Sequence, residues 1–178
     1  MKALIIAGRG QQDVEFVYPF YRLQEAGYEV DVAVRGKQPC AGIIGIKIDP
    51  TRDIPDRWTV GEYQILVLPG GVKAMEHMRL DRELVRYIAD FHMAEDGIIA
   101  SICSGAQLLI SAGLVRGRKI SGYYSMQIDI ENAGGTFVDA PAVVDDRIVS
   151  SPHYRHLGPW MAAVLSVLRE TGAIVGGT

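Results

Sequence analysis

Ile98-Ile99-Ala100-Ser101-Ile102-Cys103-Ser104-Gly105-Ala106 is the stretch whose reading decides the fold. Gly97 to Ile102 has the unbroken apolar and small character of a strand buried on both faces of a parallel sheet. Gly105 to Ala112 then reads as a helix, stopped by Gly113. Between them the spacing is small-x-nucleophile-x-small, with Ser101 and Gly105 two residues to either side of Cys103. A strand that turns at once into a helix is strained and admits only small side chains at those two places, so the residue between them is forced out of the sheet. At a helix N-terminus, unpaired amides and the helix dipole are expected to favour a thiolate and lower its pKa. The Ser104 N–H points where an oxyanion would develop. The plainer alternative is a small buried thiol that ends a strand.

Working outward, Ala3 to Ala7 is a second buried run, broken by Gly8-Arg9-Gly10. Asp13 is placed to cap a helix reaching Ala26, with Val14, Val17, Tyr18, Tyr21, Leu23 and Ala26 as its apolar stripe. Pro19 inside that stripe predicts a kink or a late start. Tyr28 to Val34 alternates as a strand after Gly27. The segment 35–61 is the least regular and reads as a small strand or hairpin plus loop. Tyr63 to Leu68 is a strand ended by Pro69-Gly70-Gly71, and Asp81 to Phe91 is a helix. Beyond Lys119 to Gly122 come a helix near Met126 to Ala133 and strand-like pieces at 136–138, 142–144 and 148–150. A last helix runs from Leu157 to Glu170, and the glycines after it suggest fraying.

Strands alternating with helices predict a single α/β domain over residues 1–178, with a mainly parallel, flavodoxin-like sheet sandwiched by helices. Ligands in such sheets bind at the carboxyl ends of strands. That rule selects three places: Gly8-Arg9-Gly10, Pro69-Gly70-Gly71 and Cys103.

Composition narrows the function classes. The 178 residues are 48% hydrophobic and 22% charged, with a formal net charge of -3 and no clustering of basic residues. A nucleic-acid groove or a polybasic membrane patch is not expected. The two cysteines, Cys40 and Cys103, form neither a disulfide framework nor a C-x-x-C metal or redox motif. The apolar run at the N-terminus is too short for a signal peptide, and no stretch approaches membrane-spanning length. A cytoplasmic protein is expected.

Glu15, in the first turn of the first helix, lies at the same edge of the sheet as Cys103. A carboxyl there would share a proton with the thiol or act as general acid/base; its plain alternative is an acid that favours the helix dipole. Gly71, with no side chain to block approach, would offer a second oxyanion amide. Its plain alternative is simply a turn.

These residues resemble the ThiJ/PfpI superfamily of class I glutamine-amidotransferase-like proteins, and its PfpI branch in particular. The resemblance rests on Asp13-Val14-Glu15 with Tyr18-Pro19, Leu68-Pro69-Gly70-Gly71, Glu76-His77-Met78-Arg79, and Ile102 through Leu109. It continues in Ser111-Ala112-Gly113-Leu114, Gly117-Arg118-Lys119, Asn132 through Gly135 and Val149-Ser150-Ser151. It implies a cysteine at the elbow with a first-helix carboxyl beside its sulfur, which maps onto Cys103 and Glu15. It also implies a homodimer or higher oligomer, in which Glu76 would reach a neighbouring subunit's cysteine. PfpI-like proteins usually carry histidine after the cysteine, where this chain has Ser104, so the peptidase triad is broken.

No cofactor and no metal are implied, and the expected partner is a small-molecule substrate. His153, His156 and their i, i+3 spacing are a weak metal signal and read as surface or capping residues, with His153 retained as a possible site residue. Gly70 and Tyr18 are further site or interface candidates; Tyr123 and Tyr124 would line a pocket or pack. His77 reads as near an interface, His92 as a helix-face residue, and Trp58 and Trp160 as packing residues. Three functions compete. The first is an enzyme in which the Cys103 thiolate adds to a small electrophile, glyoxalase/deglycase-like or nitrile/isonitrile hydratase-like, with Glu15 carrying the proton. The second is a redox-responsive protein that oxidises at Cys103. The third is a peptidase, disfavoured by Ser104.

Overall fold

The computed structural model describes residues 1–54, 61–94 and 97–170. Trp58 and the glycines of the tail lie outside the described residues. The central sheet contains β1 (Lys2–Ile6), β2 (Glu29–Ala33), β5 (Ile65–Leu68), β6 (Ile98–Ile102), β9 (Val143–Asp145) and β10 (Ile148–Ser151). Its order is β2-β1-β5-β6-β10-β9, and only the β9–β10 pairing is antiparallel. Two small pairs stand apart: β3 (Cys40–Ala41) with β4 (Lys47–Ile48), and β7 (Lys119–Ile120) with β8 (Thr136–Phe137). This is the flavodoxin-like α/β fold expected from the alternation of elements.

Helices cover both faces. On one lie α2 (Val72–Met78), α3 (Arg82–Met93), α4 (Ala106–Ser111) and α5 (Gln127–Asn132), whose apolar residues share a core with Leu4, Ile6, Leu66, Leu68 and Ile99. On the other, α1 (Asp13–Glu25) and α6 (Leu157–Glu170) close over Ile5, Val67, Ala100 and Ile102. Strands buried on both faces explain why β1, β5 and β6 are unbroken apolar runs. Trp160 is fully buried, as expected of a packing residue, and its indole N–H donates to the Val149 carbonyl at 3.2 Å.

Several local expectations are corrected. The N-cap of α1 is Gln12, not Asp13, and Pro19 lies inside the helix without ending it. The buried face of α1 is Phe16, Pro19 and Leu23, whereas Val14, Tyr18 and Tyr21 are exposed. Asp13 is fully buried, and its carboxylate accepts from the amides of Ile44 and Ile46, both at 2.8 Å. It therefore clasps the β3–β4 hairpin to the start of α1 rather than capping the helix. The seven-residue helix α2 is not signalled by the sequence pattern. Its N-cap, Gly71, carries no side chain to announce it. His92 is on α3 but only 3% exposed, 3.0 Å from the Arg118 guanidinium and 3.4 Å from the Asp146 carboxylate.

Candidate active site

The elbow forms as the spacing requires. Cys103 follows β6 directly, opens a single 3-10 turn (Cys103–Gly105) and leads into α4. Its φ is +58°, a left-handed conformation that side chains other than glycine rarely adopt. Tyr123 locks the turn from outside, its amide donating to the Cys103 carbonyl at 3.1 Å.

Glu15 is brought to Cys103 from the first turn of α1. It is fully buried, and its Oε2 accepts from the Gly70 amide at 2.7 Å. Its Oε1 has no hydrogen-bond partner among the described residues. The carboxyl and the Cys103 thiol interact directly. Burial pushes Glu15 up to about 7, against the opposing pull of the Gly70 amide and the thiol. A carboxyl so placed exchanges its proton near neutral pH, unlike an ordinary helix-terminal acid.

The thiol departs from expectation. Burial, then the Glu15 charge, push Cys103 up to about 12, while the Ser104 amide and hydroxyl pull the other way. The helix N-terminus alone does not leave a free thiolate. Desolvation and a like charge outweigh it.

Gly70 and Gly71 belong to the site through their backbones. A Cβ on Gly70 would come within 2.5 Å of Glu15 Oε2 and 2.8 Å of the Cys103 Cβ. Gly71 has φ +112°, and a Cβ there would meet backbone atoms of Gly10, Gln11 and Gln12 at 2.6 to 2.8 Å. The expectation that Gly71 offers a free oxyanion amide is corrected: its N–H donates to Ser104 Oγ at 2.8 Å. Ser104 thus joins the glycine turn to the cysteine elbow. Its hydroxyl accepts from Gly71 and acts on the sulfur in turn.

Sequence reasoning missed Gln11. It is fully buried, with Oε1 accepting from the Gly8 amide at 3.1 Å and Nε2 donating to the Gly70 carbonyl. It fixes the turn that supplies Glu15 with its hydrogen bond. The only signal was a polar pair, Gln11-Gln12, between a glycine break and a helix.

The other candidates make no hydrogen bond to Cys103 or Glu15 among the described residues. Glu76 and His77 are exposed on α2. Tyr18 is 37% exposed and lines a shallow depression with Val14, Tyr21 and Leu157 on the outer face of α1. His153 follows β10, the neighbour of β6, and its ring lies 3.9 Å from that of Tyr154, 6.0 Å from Tyr123 and 6.2 Å from Tyr124. Burial, with Arg155 and His156 nearby, lowers its pKa. Its Nδ1 accepts from the Arg155 amide at 3.2 Å, the capping role expected of it. Both cysteines are free thiols. Among the described residues, no helix is long and apolar enough to cross a membrane.

A flavodoxin-like sheet with a cysteine elbow and a buried carboxyl against its sulfur defines a recognisable class of protein. The DJ-1/PfpI family model matches residues 1–167, and the chain belongs to that family. Within it the chain stands close to PfpI-type proteins named as enzymes. It is 40% identical over 173 residues to "Deglycase PfpI" of Pyrococcus furiosus, covering 95% of this chain and 100% of that protein. It is 36% identical over 148 residues to "Protein/nucleic acid deglycase 2" of Escherichia coli, covering 79% and 81%. Among solved structures, a two-domain protein of Anabaena variabilis with DJ-1/ThiJ/PfpI-like and ferritin-like domains superposes with a TM-score of 0.89 at 29% identity. That match covers 98% of this chain and 50% of the larger protein.

Proposed function

We propose that this protein is a cysteine-dependent deglycase-like enzyme, acting on small adducts between an amine and an aldehyde. The observation that carries the reading is Glu15: buried, raised to about 7 and in direct interaction with the Cys103 thiol. General acid/base catalysis works best when the group's pKa lies near the operating pH. In the proposed step the thiol proton passes to Glu15 as the sulfur bonds to the electrophilic carbon. The carbon–nitrogen bond breaks, and Glu15 returns the proton to the departing amine. The sulfur-bound carbon then gives its hydroxyl proton to Glu15 and expels the sulfur as the aldehyde forms, and Glu15 reprotonates the thiol. Two influences that hold the thiol up, the charge of Glu15 and its hydrogen bond, are relieved once Glu15 carries the proton. The Ser104 amide is the oxyanion donor in this scheme, with Gly71 acting on it through the Ser104 hydroxyl.

The names of the relatives support the deglycase arm over the hydratase arm. The redox-sensor reading is weakened, because a half-buried thiol pushed upward is not selectively oxidised. Ser104 is held by Gly71 and offers no imidazole to replace the missing base, which leaves the peptidase reading without support.

The test is amine release from a preformed methylglyoxal–amine adduct, followed against its spontaneous dissociation. Release faster than the uncatalysed rate, and lost in Cys103→Ala, is the expected result. Turnover retained in Cys103→Ala would remove the assigned nucleophile.

A further inference from the structure

Gly8-Arg9-Gly10 is one of the three strand ends singled out by the sequence, and the chemistry at Cys103 leaves its side chains unused. In open α/β sheets, ligands bind at carboxyl ends of strands where the strand order reverses. The chain steps from β1 outward to β2 and then resumes on the other side of β1 at β5, so the reversal lies between β1 and β5, beside Glu15 and Gly70.

A cavity of about 350 Å³ flanks this reversal on the β2 side, at the carboxyl ends of β1 and β2 and against α2. That volume falls in the range of small-molecule pockets, roughly 300 to 1,000 Å³. Its apolar wall includes Val34, Ala74 and Met78, and Arg9 stands at its edge with Cys40. The cavity adjoins a second depression that shares Arg9, Pro39 and Cys40, adds Lys47 and Lys73, and has no carboxylate in its lining.

The charges are unevenly satisfied. Arg35, on the other rim, is paired with Asp81 and Glu83, and Lys47 with Asp49 at 2.8 Å. Arg9 and Lys73 have no carboxylate partner among the described residues. They are neighbours: a Cβ on Gly10, the residue after Arg9, would lie 3.1 Å from the Lys73 Cβ. Two uncompensated cations beside an apolar cavity favour a ligand with an apolar body and an anionic end.

We propose that this cavity is a second small-molecule site, for an organic anion whose apolar body lies against Val34, Ala74 and Met78 and whose acid group lies between Arg9 and Lys73. The site stands on the cavity and its cations, and does not depend on the reaction assigned to Cys103. Cys40, in the lining, is a built-in reporter of occupancy.

Octanoate is a suitable probe, with inorganic phosphate and octan-1-ol as its anionic and apolar halves. The readout is the rate at which iodoacetamide labels Cys40, measured by peptide mass spectrometry with Cys103 as internal reference. Octanoate should slow Cys40 labelling saturably, while each half-probe should need at least about tenfold more for the same protection. Arg9→Gln and Lys73→Gln, both changes at exposed side chains, should each raise the half-protecting concentration on the order of tenfold, as expected for loss of a charge-assisted contact. Absence of saturable protection would overturn the site, as would equal protection by phosphate alone. So would protection of Cys103 in place of Cys40, or a response to octanoate that neither substitution changes.

Discussion

The two cysteines make an instructive pair. Both are free, half-buried and close to the carboxyl edge of the sheet, and burial pushes both thiols upward. Their second influence differs in sign. Cys103 faces the Glu15 carboxylate, which raises it further, while Cys40 faces the Arg9 guanidinium, which draws it down. By charge alone, Cys40 would be the better nucleophile. What Cys103 has instead is a partner that can take its proton and return it, a backbone that projects it from the sheet, and donors from Ser104. Under the proposed function, catalytic competence lies in the exchange of a proton rather than in a resting thiolate.

That contrast can be broken most directly at the sulfur atoms. Cys103→Ala should lower amine release by about a thousandfold or more, as expected for loss of a nucleophile, whereas Cys40→Ala should leave it within about twofold. An equal loss in both variants would erase the distinction.

Glu15→Gln keeps an oxygen to accept from Gly70 but cannot carry the proton, and turnover should fall by roughly a hundredfold or more. The same change also alters stability. The folded pKa of Glu15 is raised from 4.5 to about 7, so its contribution is fully present below about 4.5 and is lost as pH rises through 7. Relative to the native protein, Glu15→Gln should therefore gain stability between those limits, levelling off near roughly 3 kcal/mol. Denaturant midpoints from pH 4 to 9 would measure it, and a pH-independent difference would contradict the buried carboxyl.

Ser104→Ala should have a smaller effect. It strands the Gly71 amide without its acceptor, a loss of about 1 to 3 kcal/mol, and removes one of the donors that favour the thiolate. Turnover should fall by roughly tenfold, about what the loss of one hydrogen bond is worth, with Cys103 and Glu15 still in place.

Much of this was legible in the residues. The buried runs at β1, β5 and β6 are strands because parallel sheets bury both faces, and the Ser101-x-Cys103-x-Gly105 spacing meets the steric need of an elbow without excluding a plain strand-ending thiol. The first helix was harder to read. Its inward-facing residues include Asp13 and Glu15, which are buried for hydrogen bonding rather than hydrophobicity, so the apolar pattern places Leu23, Val17 and Ala26 correctly against the core but not Val14, Tyr18 and Tyr21. Local rules fail most often where a site overrides them. The Gly71 amide was misassigned for a different reason. Its acceptor is a serine side chain 33 residues away, and no local pattern records that pairing. Helix α2 was missed because it is a short element whose cap is a glycine.

The left-handed backbone at Cys103 has a consequence for how this protein tolerates change. Glycine is the residue that would relax φ +58°, and it is also the one that deletes the sulfur. The elbow therefore holds a standing conflict between durability and chemistry, worth about 1 to 2 kcal/mol of strain at one residue. Random mutagenesis screened for heat resistance alone should favour loss of the thiol, so a thermostable lineage remains an enzyme only when activity is selected alongside it.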